Sequence, residues 1–306
     1  MLNADPRHWK PESRPSGTRI LFSWPQITVG AFDCWPDDAS WRCENVIVTG
    51  HLIAFPGTAV EIIQHGYHPT VVDPNQVVLY NRDQVYRRRL VDSSGDHCTY
   101  LIVSPALLAE LADSGAAPIR DPDRHPFTHP VLPISRSDHL EQQSILHVLR
   151  AGHATDPLEL QERLAQLVGR ALGQAGAGRR VRPRRRATER EHRRIVDDTR
   201  AVLAVDLGRP MSLDDVARAV GTSVFHVSRL FRGRVGMSMH AYRDELRLRT
   251  ALPEVLEGSR PLTEVALDHG YATPSHFAER FRARYGIAPS RLRARMTRPA
   301  NVRAKP

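Results

Sequence analysis

Apolar and polar positions divide the chain into a strand-rich first half and a helical second half. The first half carries short runs rich in Val, Ile, Tyr and Phe, namely "ILFSWPQITVGAFDC", "NVIVTGHLIAFPG", "TAVEIIQHG", "QVVLYN" and "HCTYLIVSP". Turn-forming stretches such as "DPN", "NRD" and "DSSGD" separate them. Such runs predict an antiparallel sandwich or barrel, which we assign to residues 18–110, with a first helix after Pro105.

The next segment, residues 136–175, changes to a helical pattern. "HLEQQSILHVLRAG" places four apolar side chains near one helix face: Leu140, Ile145, Leu146 and Leu149. "DPLELQERLAQLVGRAL" opens on an N-cap at Asp156 and a capping box completed by Glu159. Its leucines recur at helical spacing, and this pattern allows either packing on the sheet or a dimer interface. Residues 176–187, dense in Arg, predict a basic flexible linker.

Residues 188–297 are predicted to be helical and contain an internal repeat. "LDDVARAVGTS" matches "LTEVALDHGYAT" at an offset of 49 residues, and after one extra residue Phe231 and Gly236 match Phe281 and Gly286. Each copy has the pattern of helix, glycine turn and helix, which predicts two helix-turn-helix units. We place unit 1 at residues 213–234 and unit 2 at residues 262–284.

In each unit the spacing separates buried from outward positions. The sequence predicts turns at Gly221 and Gly270 and N-caps at Ser223 and Thr273. The predicted buried positions are Leu213, Val216, Ala217, Val220, Val227, Leu230 and Phe231 in unit 1, and Leu262, Val265, Ala266, Phe277 and Phe281 in unit 2. The predicted outward faces of the second helices are Phe225, Ser228, Arg229 and Arg232 in unit 1, and Ser275, Ala278, Glu279 and Arg282 in unit 2.

These outward side chains suit base recognition in a DNA major groove. Arg pairs with guanine, Glu accepts from cytosine, and Ser serves either role. Phe225 is a candidate contact to a thymine methyl group, the alternative being packing on a neighbouring helix. A helix of 16 residues between the units would span roughly 24 Å, near the ~34 Å between successive grooves. Pro253 is expected to break that helix or to start another.

Charge supports a nucleic-acid partner for the second half alone. Residues 1–178 hold 15 Lys and Arg against 20 Asp and Glu, whereas residues 179–306 hold 28 against 14. The net charges are therefore −5 and +14, and a basic half of this kind favours binding to a polyanion. No apolar run is long enough to span a membrane, the start of the chain lacks a signal-peptide core, and three cysteines indicate no disulfide framework, so a cytoplasmic protein is expected.

The helical half resembles the DNA-binding domain of the AraC/XylS family of bacterial transcription regulators. The resemblance lies in "SLDDVARAVGTSVFHVSRLFRGRVGMSMHAYRDELRLRTAL" and "LTEVALDHGYATPSHFAERFRARYGIAPSRLR". It implies a multi-domain regulator, in which an N-terminal all-β cupin-like barrel with appended helices precedes an all-α double helix-turn-helix domain. It also implies contacts to double-stranded DNA at six of the outward positions: Phe225, Ser228, Arg229, Ser275, Ala278 and Glu279. A small-molecule effector sensed by the first half is expected, while homodimerisation, contact with RNA polymerase and activation versus repression stay open.

Catalysis and cofactors are not expected of the first half. His65 and His68 lack the partner ligands of a metal-dependent cupin and, with His51, are predicted to be ordinary surface or turn histidines. Thiolates and imidazole suit zinc, and a thiol of low pKa can sense oxidants. The candidates for such a role are Cys34, Cys43, His97 and Cys98. Their spacing is not that of a dedicated site, so buried structural cysteines are the favoured interpretation.

Overall fold

The computed structural model describes residues 17–117, 119, 121–152, 156–173 and 186–297. The strands of this part are β1 (Gly17–Trp24), β2 (Ile27–Cys34), β3 (Asn45–Val46), β4 (His51–Pro56), β5 (Val60–Gln64), β6 (Thr70–Val72), β7 (Gln76–Tyr80), β8 (Val85–Leu90), β9 (Asp96–Val103) and β10 (Val131–Pro133). Its helices are α1 (Pro105–Asp113), α2 (Arg136–Ala151), α3 (Pro157–Gly173), α4 (Arg186–Ala204), α5 (Leu213–Ala219), α6 (Val224–Val235), α7 (Met239–Glu257), α8 (Leu262–Asp268), α9 (Pro274–Tyr285) and α10 (Pro289–Thr297).

The strands form two antiparallel sheets, as the alternating pattern predicts. One sheet has six strands in the order β1-β2-β9-β4-β7-β10, and the other has four in the order β3-β8-β5-β6. Because successive side chains along a strand point to opposite faces, Ala54 and Ile53 of β4 face different sides of the larger sheet. Ala54 lies in an apolar cluster with Val60 and Ile62 of the smaller sheet, which joins the two sheets face to face. The prediction of an N-terminal all-β domain is confirmed.

The other face of the larger sheet is covered by α1, α2 and α3. Ile53 and Leu101 of the sheet share one buried cluster with Leu164 and Leu167 of α3. The apolar stripe of α3 is therefore used within the protein's own core. Of the two alternatives that the sequence leaves open, packing on the sheet holds for this stripe, and a second copy of the chain would have to use another surface.

Helix α2 is shared between the two halves of the protein. Ile145 and Leu146 lie in the cluster beneath the larger sheet, whereas Leu140 packs against the cluster that surrounds α7 and α9. The prediction that Leu140 shares a face with the other leucines is wrong because α2 lies between two cores and contacts both. This position makes α2 one physical link between the halves.

Helix α7 runs without a break through Pro253, contrary to expectation. Proline removes one backbone donor and crowds the carbonyl four residues earlier, which normally ends a helix. Here Leu252, Val255 and Leu256 are at most 1% exposed and pack in the same core. Burial on both sides of Pro253 holds the chain helical, so that α7 is 19 residues long.

The β domain and the helical half are also joined by buried polar contacts to α7. The Tyr242 hydroxyl donates to the Asp73 carboxylate over 2.6 Å. Arg249 donates to the backbone carbonyls of Ile134 and Pro74 over 2.9 and 3.3 Å. Burial raises the pKa of Asp73 and the pKa of Tyr242 above their usual ranges. The helix between the two helix-turn-helix units is thus held directly by the first half.

The predicted basic linker, residues 176–187, falls mostly outside the described residues. Its last two positions belong to α4, which begins at Arg186. The assignment of 18–110, 136–175 and 188–297 as separate domains stays a prediction. Within the described ranges, no helix combines the length and the apolar character needed to cross a membrane.

Candidate DNA-binding surface

Unit 1 is formed by α5, a glycine turn and α6. Ser212 caps α5 and exchanges hydrogen bonds with Asp215 in a capping box. Gly221 turns the chain with φ +69°, a conformation that side chains other than glycine rarely adopt. Ser223 then caps α6 by accepting from the backbone N–H of His226. The turn predicted at Gly221 and the N-cap predicted at Ser223 are both confirmed.

The core of unit 1 joins its two short helices to α4 and α7. Phe231 is fully buried, and its ring packs edge-to-face with the Tyr242 ring, with 5.2 Å between the ring centres. The small Ala217 is also buried, which allows the close helix approach that this motif needs. Leu213, expected on the buried face, is instead 48% exposed, because it occupies the first turn of α5 next to solvent. The remaining predicted core positions are buried, namely Val216, Val220, Val227 and Leu230.

The outward face of α6 is open to solvent. Phe225 is 75% exposed, which excludes its packing on a neighbouring helix. The Arg229 guanidinium lies 5.6 Å from the centre of its ring, a cation–π arrangement. Arg232 is exposed and Ser228 half-buried on the same helix. The structure therefore brings the four predicted side chains of unit 1 to one accessible face.

Unit 2 repeats this construction with α8, a glycine turn and α9. Gly270 has φ +78°, and a Cβ there would lie 2.7 Å from the Leu207 carbonyl oxygen. Thr273 caps α9 by accepting from the backbone N–H of His276, and Pro274 occupies the first helical position. The buried positions predicted for this unit include Val265, Ala266, Phe277 and Phe281, each at most 1% exposed.

The outward face of α9 has a different chemical character. Ser275, Glu279 and Arg282 are exposed, and Ala278 is half-buried between them. One carboxylate and one guanidinium stand where unit 1 presents two guanidiniums and an aromatic ring. The second surface is accessible in the same way as the first, but it carries less positive charge.

Helix α7 fixes both units through charged residues that sequence reasoning missed. Asp244 accepts from the Arg280 side chain of α9 over 3.0 Å and from the Tyr271 hydroxyl over 3.0 Å. On the unit 1 side, Arg243 and Arg247 donate to carbonyl oxygens of the segment that leads into α5. Burial, together with the Asp244 charge, raises the pKa of Tyr271. In the sequence these residues form a helix face of mixed charge. Their partners lie 27 to 40 positions away, and no local pattern indicates which residues those partners are.

The cysteine and histidine candidates lie elsewhere, at one end of the β domain. His97 contacts the Asp33 carboxylate at 2.8 Å, and Cys34 contacts the Ser40 hydroxyl at 3.2 Å. Cys43 is exposed, whereas burial raises the pKa of the Cys98 thiol well above its usual range. Among the described residues, no group of three or more His, Cys, Asp and Glu side chains is arranged to hold a metal ion.

The prediction that His51 is a surface or turn histidine is wrong. Its side chain is buried in β4, where Nδ1 accepts from the backbone N–H of Arg82 over 3.1 Å. Burial lowers its pKa, which keeps the ring neutral and suits a structural role. His65 and His68 lie exposed in the turn after β5. These histidines are therefore part of the fold and its surface rather than of a common site.

Two helix-turn-helix units with open recognition faces, held on one continuous helix, define a DNA-binding protein. Residues 216–295 match the family described as a helix-turn-helix domain. The regulatory protein SoxS of Escherichia coli K12 is 30% identical over 105 residues, which cover 34% of this chain and 98% of SoxS. The transcriptional activator AarP of Providencia stuartii is 31% identical over 99 residues, covering 32% of this chain and 73% of AarP.

Among solved structures, a transcriptional regulator from Chromobacterium violaceum with an AraC-type DNA-binding domain is similar to this chain. It is 27% identical, covers 38% of this chain and 100% of its own, and gives a TM-score of 0.31. The protein belongs to the AraC/XylS family and is a DNA-binding transcription regulator. The matches to SoxS and AarP cover about a third of the chain.

Proposed function

We propose that α6 and α9 enter successive major grooves on one face of double-stranded DNA, so that a single chain covers two half-sites. The observation that carries this proposal is the rigid mounting of both units on α7. Its 19 residues correspond to roughly 28 Å of helix, close to the ~34 Å repeat of the major groove. Both recognition faces are accessible in the same molecule, which two-groove binding requires.

We further propose that the base contacts come from the eight outward residues. They are Phe225, Ser228, Arg229 and Arg232 on α6, and Ser275, Ala278, Glu279 and Arg282 on α9. Arg229 is suited to the two acceptors of a guanine edge, and Phe225 to a thymine methyl group. Glu279 is an acceptor suited to the amino group of cytosine and repels phosphate, so its unit contributes less general affinity.

The substitution Arg229→Ala tests the proposal. Because a bidentate base contact discriminates by ~1–3 kcal/mol, we expect a loss of that size confined to one or two base pairs of a selected DNA site. Fluorescence anisotropy on single-base variants of that site measures it. Arg82→Ala, an exposed arginine of the first half, is the matched control and should leave the profile unchanged. A uniform loss on every sequence would instead indicate a nonspecific architectural binder.

The first half is proposed to control the geometry of the second, in the cytoplasm, through an effector or through homodimerisation. The contacts of Asp73, Pro74 and Ile134 with α7 support this, because any change in that part of the β domain acts directly on the helix between the units. RNA polymerase is a further proposed partner of the DNA-bound protein. Whether binding activates or represses depends on where the site lies relative to the promoter.

The coupling is tested with Tyr242→Phe, which removes the hydroxyl that donates to Asp73 and keeps the ring in the core. We expect altered DNA affinity with little loss of secondary structure, measured by anisotropy and circular dichroism on the same preparation. Tyr67→Phe, an exposed tyrosine in the turn after β5, is the control. If DNA affinity of the Tyr242 variant equals that of the parent protein, the contact does not transmit control.

A further inference from the structure

A short turn that leads into unit 1 also contacts unit 2. Residues 206–209, here called the leading turn, lie between α4 and α5, and the Arg209 N–H donates to the Asp206 carbonyl oxygen over 3.0 Å. The Leu207 side chain packs against the buried cluster of unit 1. Its carbonyl oxygen faces the turn of unit 2, since a Cβ added to Gly270 would lie only 2.7 Å away. The leading turn is therefore part of the unit 1 core and a neighbour of the unit 2 turn.

Gly208 forms a second close approach between the leading turn and unit 2. A Cβ on Gly208 would lie 2.8 Å from the carbonyl oxygen of Asp268, the last residue of α8. Side-chain carbons do not come this close to other heavy atoms, so glycine is what allows the two backbones to meet. Gly208 is not one of the glycines with positive φ. The close approach, rather than the backbone conformation, therefore requires glycine at this position.

Arg247 of α7 lies where the leading turn and the unit 2 turn meet. Its Nε donates to the Leu207 carbonyl oxygen over 2.9 Å, and its Nη2 donates to the Arg209 carbonyl oxygen over 3.4 Å. The same guanidinium borders the turn of unit 2, because a Cβ on Gly270 would lie 2.8 Å from Nη2. One half-buried side chain thus contacts the leading turn of unit 1 and borders the turn of unit 2.

The internal repeat distinguishes Arg247 from its neighbour Arg243. Arg243 donates to two carbonyl oxygens of the leading turn over 2.8 and 2.9 Å. Arg293, its equivalent 50 residues later, donates to carbonyl oxygens of the segment before α8 over 2.8 to 3.3 Å. Each unit therefore has one arginine that holds its own leading segment. The equivalent of Arg247 is Thr297, so the Arg247 contact is not part of the repeated unit and serves the joint between the units.

The turns of the two units differ in the same sense. A Cβ on Gly221 would meet no described atom within 4 Å, whereas one on Gly270 would meet both the leading turn and Arg247. The turn of unit 1 is open, and the turn of unit 2 is covered by a part of unit 1. The contact between the units is therefore a specific joint at one end of unit 2.

This joint restrains the orientation of one unit relative to the other. Two bodies that pack on a single helix can still rock about that helix, and a second contact away from it prevents the rocking. Here the second contact is between backbone segments, which lack the rotational freedom of long side chains. Hydrogen bonds from a charged donor, such as those of Arg247, are stronger than bonds between neutral groups.

We propose that Arg247 is a positioning residue that sets the half-site spacing accepted by the protein. It acts through the leading turn, which it holds against the turn of unit 2, and it does not itself contact DNA. This inference rests on the proposed binding of α6 and α9 to successive major grooves. One added base pair moves a half-site by about 3.4 Å and rotates it by about 35° around the DNA axis. Units that are held in one orientation cannot follow that change.

Spacing variants of a selected DNA site test the role of Arg247. Fluorescence anisotropy on the full chain compares the selected site with versions that have one base pair added or removed between the half-sites. We expect the parent to bind the shifted sites at least about tenfold more weakly, and Arg247→Met to reduce this penalty to about threefold or less. Methionine keeps an unbranched stem and donates no hydrogen bond. The parental penalty in Arg247→Met would overturn the proposal.

Two further variants separate positioning from a general loss of stability or charge. The ratio of the two affinities is the measured quantity, and a uniform loss of folded protein leaves it unchanged. Arg247→Lys keeps one donor and should restore part of the spacing penalty. Arg209→Met removes a guanidinium of the leading turn, from a side chain that is 76% exposed, and keeps its carbonyl oxygen. It should show the full parental penalty; a reduced penalty in this control would assign the effect to lost charge and overturn the role of Arg247.

Gly208→Ala tests the same joint without changing Arg247. The added methyl group would lie 2.8 Å from the Asp268 carbonyl oxygen and must push the leading turn away from unit 2. We expect a reduced spacing penalty with unchanged helix content by circular dichroism, so this variant gives an answer even if Arg247→Met does not fold. A folded Gly208→Ala protein with the parental penalty would show that the contact between the units does not set the spacing.

A truncated DNA fragment separates this inference from the proposed function. The fragment ends before the half-site beneath α9. Parental affinity for it would show that the chain uses one groove, and both proposals would then be wrong. Weaker binding of the fragment, together with equal spacing penalties in the parent and in Arg247→Met, would keep two-groove binding and overturn the role of Arg247 alone.

Discussion

The two helix-turn-helix units have equivalent buried cores but differ in the side chains on their outward faces. Phe231 and Phe281 occupy equivalent positions and are both fully buried. On the outward faces, Phe225 and Arg229 of unit 1 contrast with Glu279 of unit 2. The repeat therefore preserves the way the helices pack and leaves the recognition surface free to differ. We infer that unit 1 provides most of the base recognition, while unit 2 mainly sets the register on DNA.

The mounting of the units differs as well. In unit 2, Arg280 and Tyr271 bind Asp244 of α7. The equivalent positions of unit 1 are Leu230 and Thr222, which supply no such charged contact. Unit 1 is instead packed in a cluster that reaches into the β domain through Ala59. Unit 2 is thus tied to α7 by charged contacts and meets the first half through Leu140 of α2, whereas unit 1 meets the first half through Ala59 of the β domain.

The largest effect is expected from truncating the equivalent core rings. Phe231→Ala and Phe281→Ala each remove a fully buried ring and should lower the free energy of unfolding by about 3–5 kcal/mol. Urea denaturation followed by circular dichroism measures this loss. Similar losses of unfolding free energy in the two variants support equivalent buried cores in the two units. A loss below about 1 kcal/mol at either position would show that its unit does not depend on this core.

A smaller and unequal effect is expected from the two turn glycines. Both have positive φ, so alanine costs about 1–2 kcal/mol at either turn. At Gly221 the added Cβ meets no described atom within 4 Å, whereas at Gly270 it would lie 2.7 Å from the Leu207 carbonyl oxygen. Gly270→Ala should therefore be the more destabilising variant in thermal unfolding, with Gly221→Ala as its matched control. Equal losses would contradict the tighter packing of unit 2.

Removing Asp244 should weaken unit 2 selectively. Its side chain is 12% exposed and its partner Arg280 43%, so solvent screening limits the expected loss of stability to about 1–2 kcal/mol for Asp244→Ala. Hydrogen exchange should show faster opening of α9 than of α6. Asp198→Ala, which removes an exposed carboxylate of α4, is the control. Equal protection of both helices in the Asp244 variant would show that this contact does not distinguish the units.

The smallest effect concerns Glu189, which pairs unit 1 with α4. Its hydrogen bonds to Arg234 lower its pKa from 4.5 to about 2 in the folded state. The resulting stabilisation is fully present above about pH 4.5 and is lost as the pH falls towards 2. Because the pair is partly open to solvent, Glu189→Gln should cost about 1 kcal/mol at neutral pH and flatten the pH profile of stability in this window. An unchanged profile would contradict the pairing.

Local patterns in the sequence predict the parts of this structure that depend on local physics. Gly221, Ser223 and Thr273 act within one turn of their own positions, and the buried stripes follow helical periodicity. The helix break expected at Pro253 is absent because burial of Leu252, Val255 and Leu256 outweighs the local helix-breaking tendency of proline. Local sequence patterns do not predict packing of this kind, which depends on residues far apart in the chain.

The contacts that join the two halves cannot be predicted from the periodicity of the sequence. Tyr242 and Asp73 are separated by 169 positions, and each would serve equally well as a surface residue in its own segment. Arg249 and the Ile134 carbonyl oxygen to which it donates are likewise 115 positions apart and meet only in the folded chain.

We infer that unit 1 recognises bases more strongly than unit 2. The most direct test selects a bound site from randomised DNA and measures the affinity of the full chain for every single-base substitution across both half-sites. We expect losses of binding free energy of about 1–3 kcal/mol for substitutions beneath α6 and clearly smaller losses beneath α9. Equal costs in the two half-sites, or larger costs beneath α9, would contradict it.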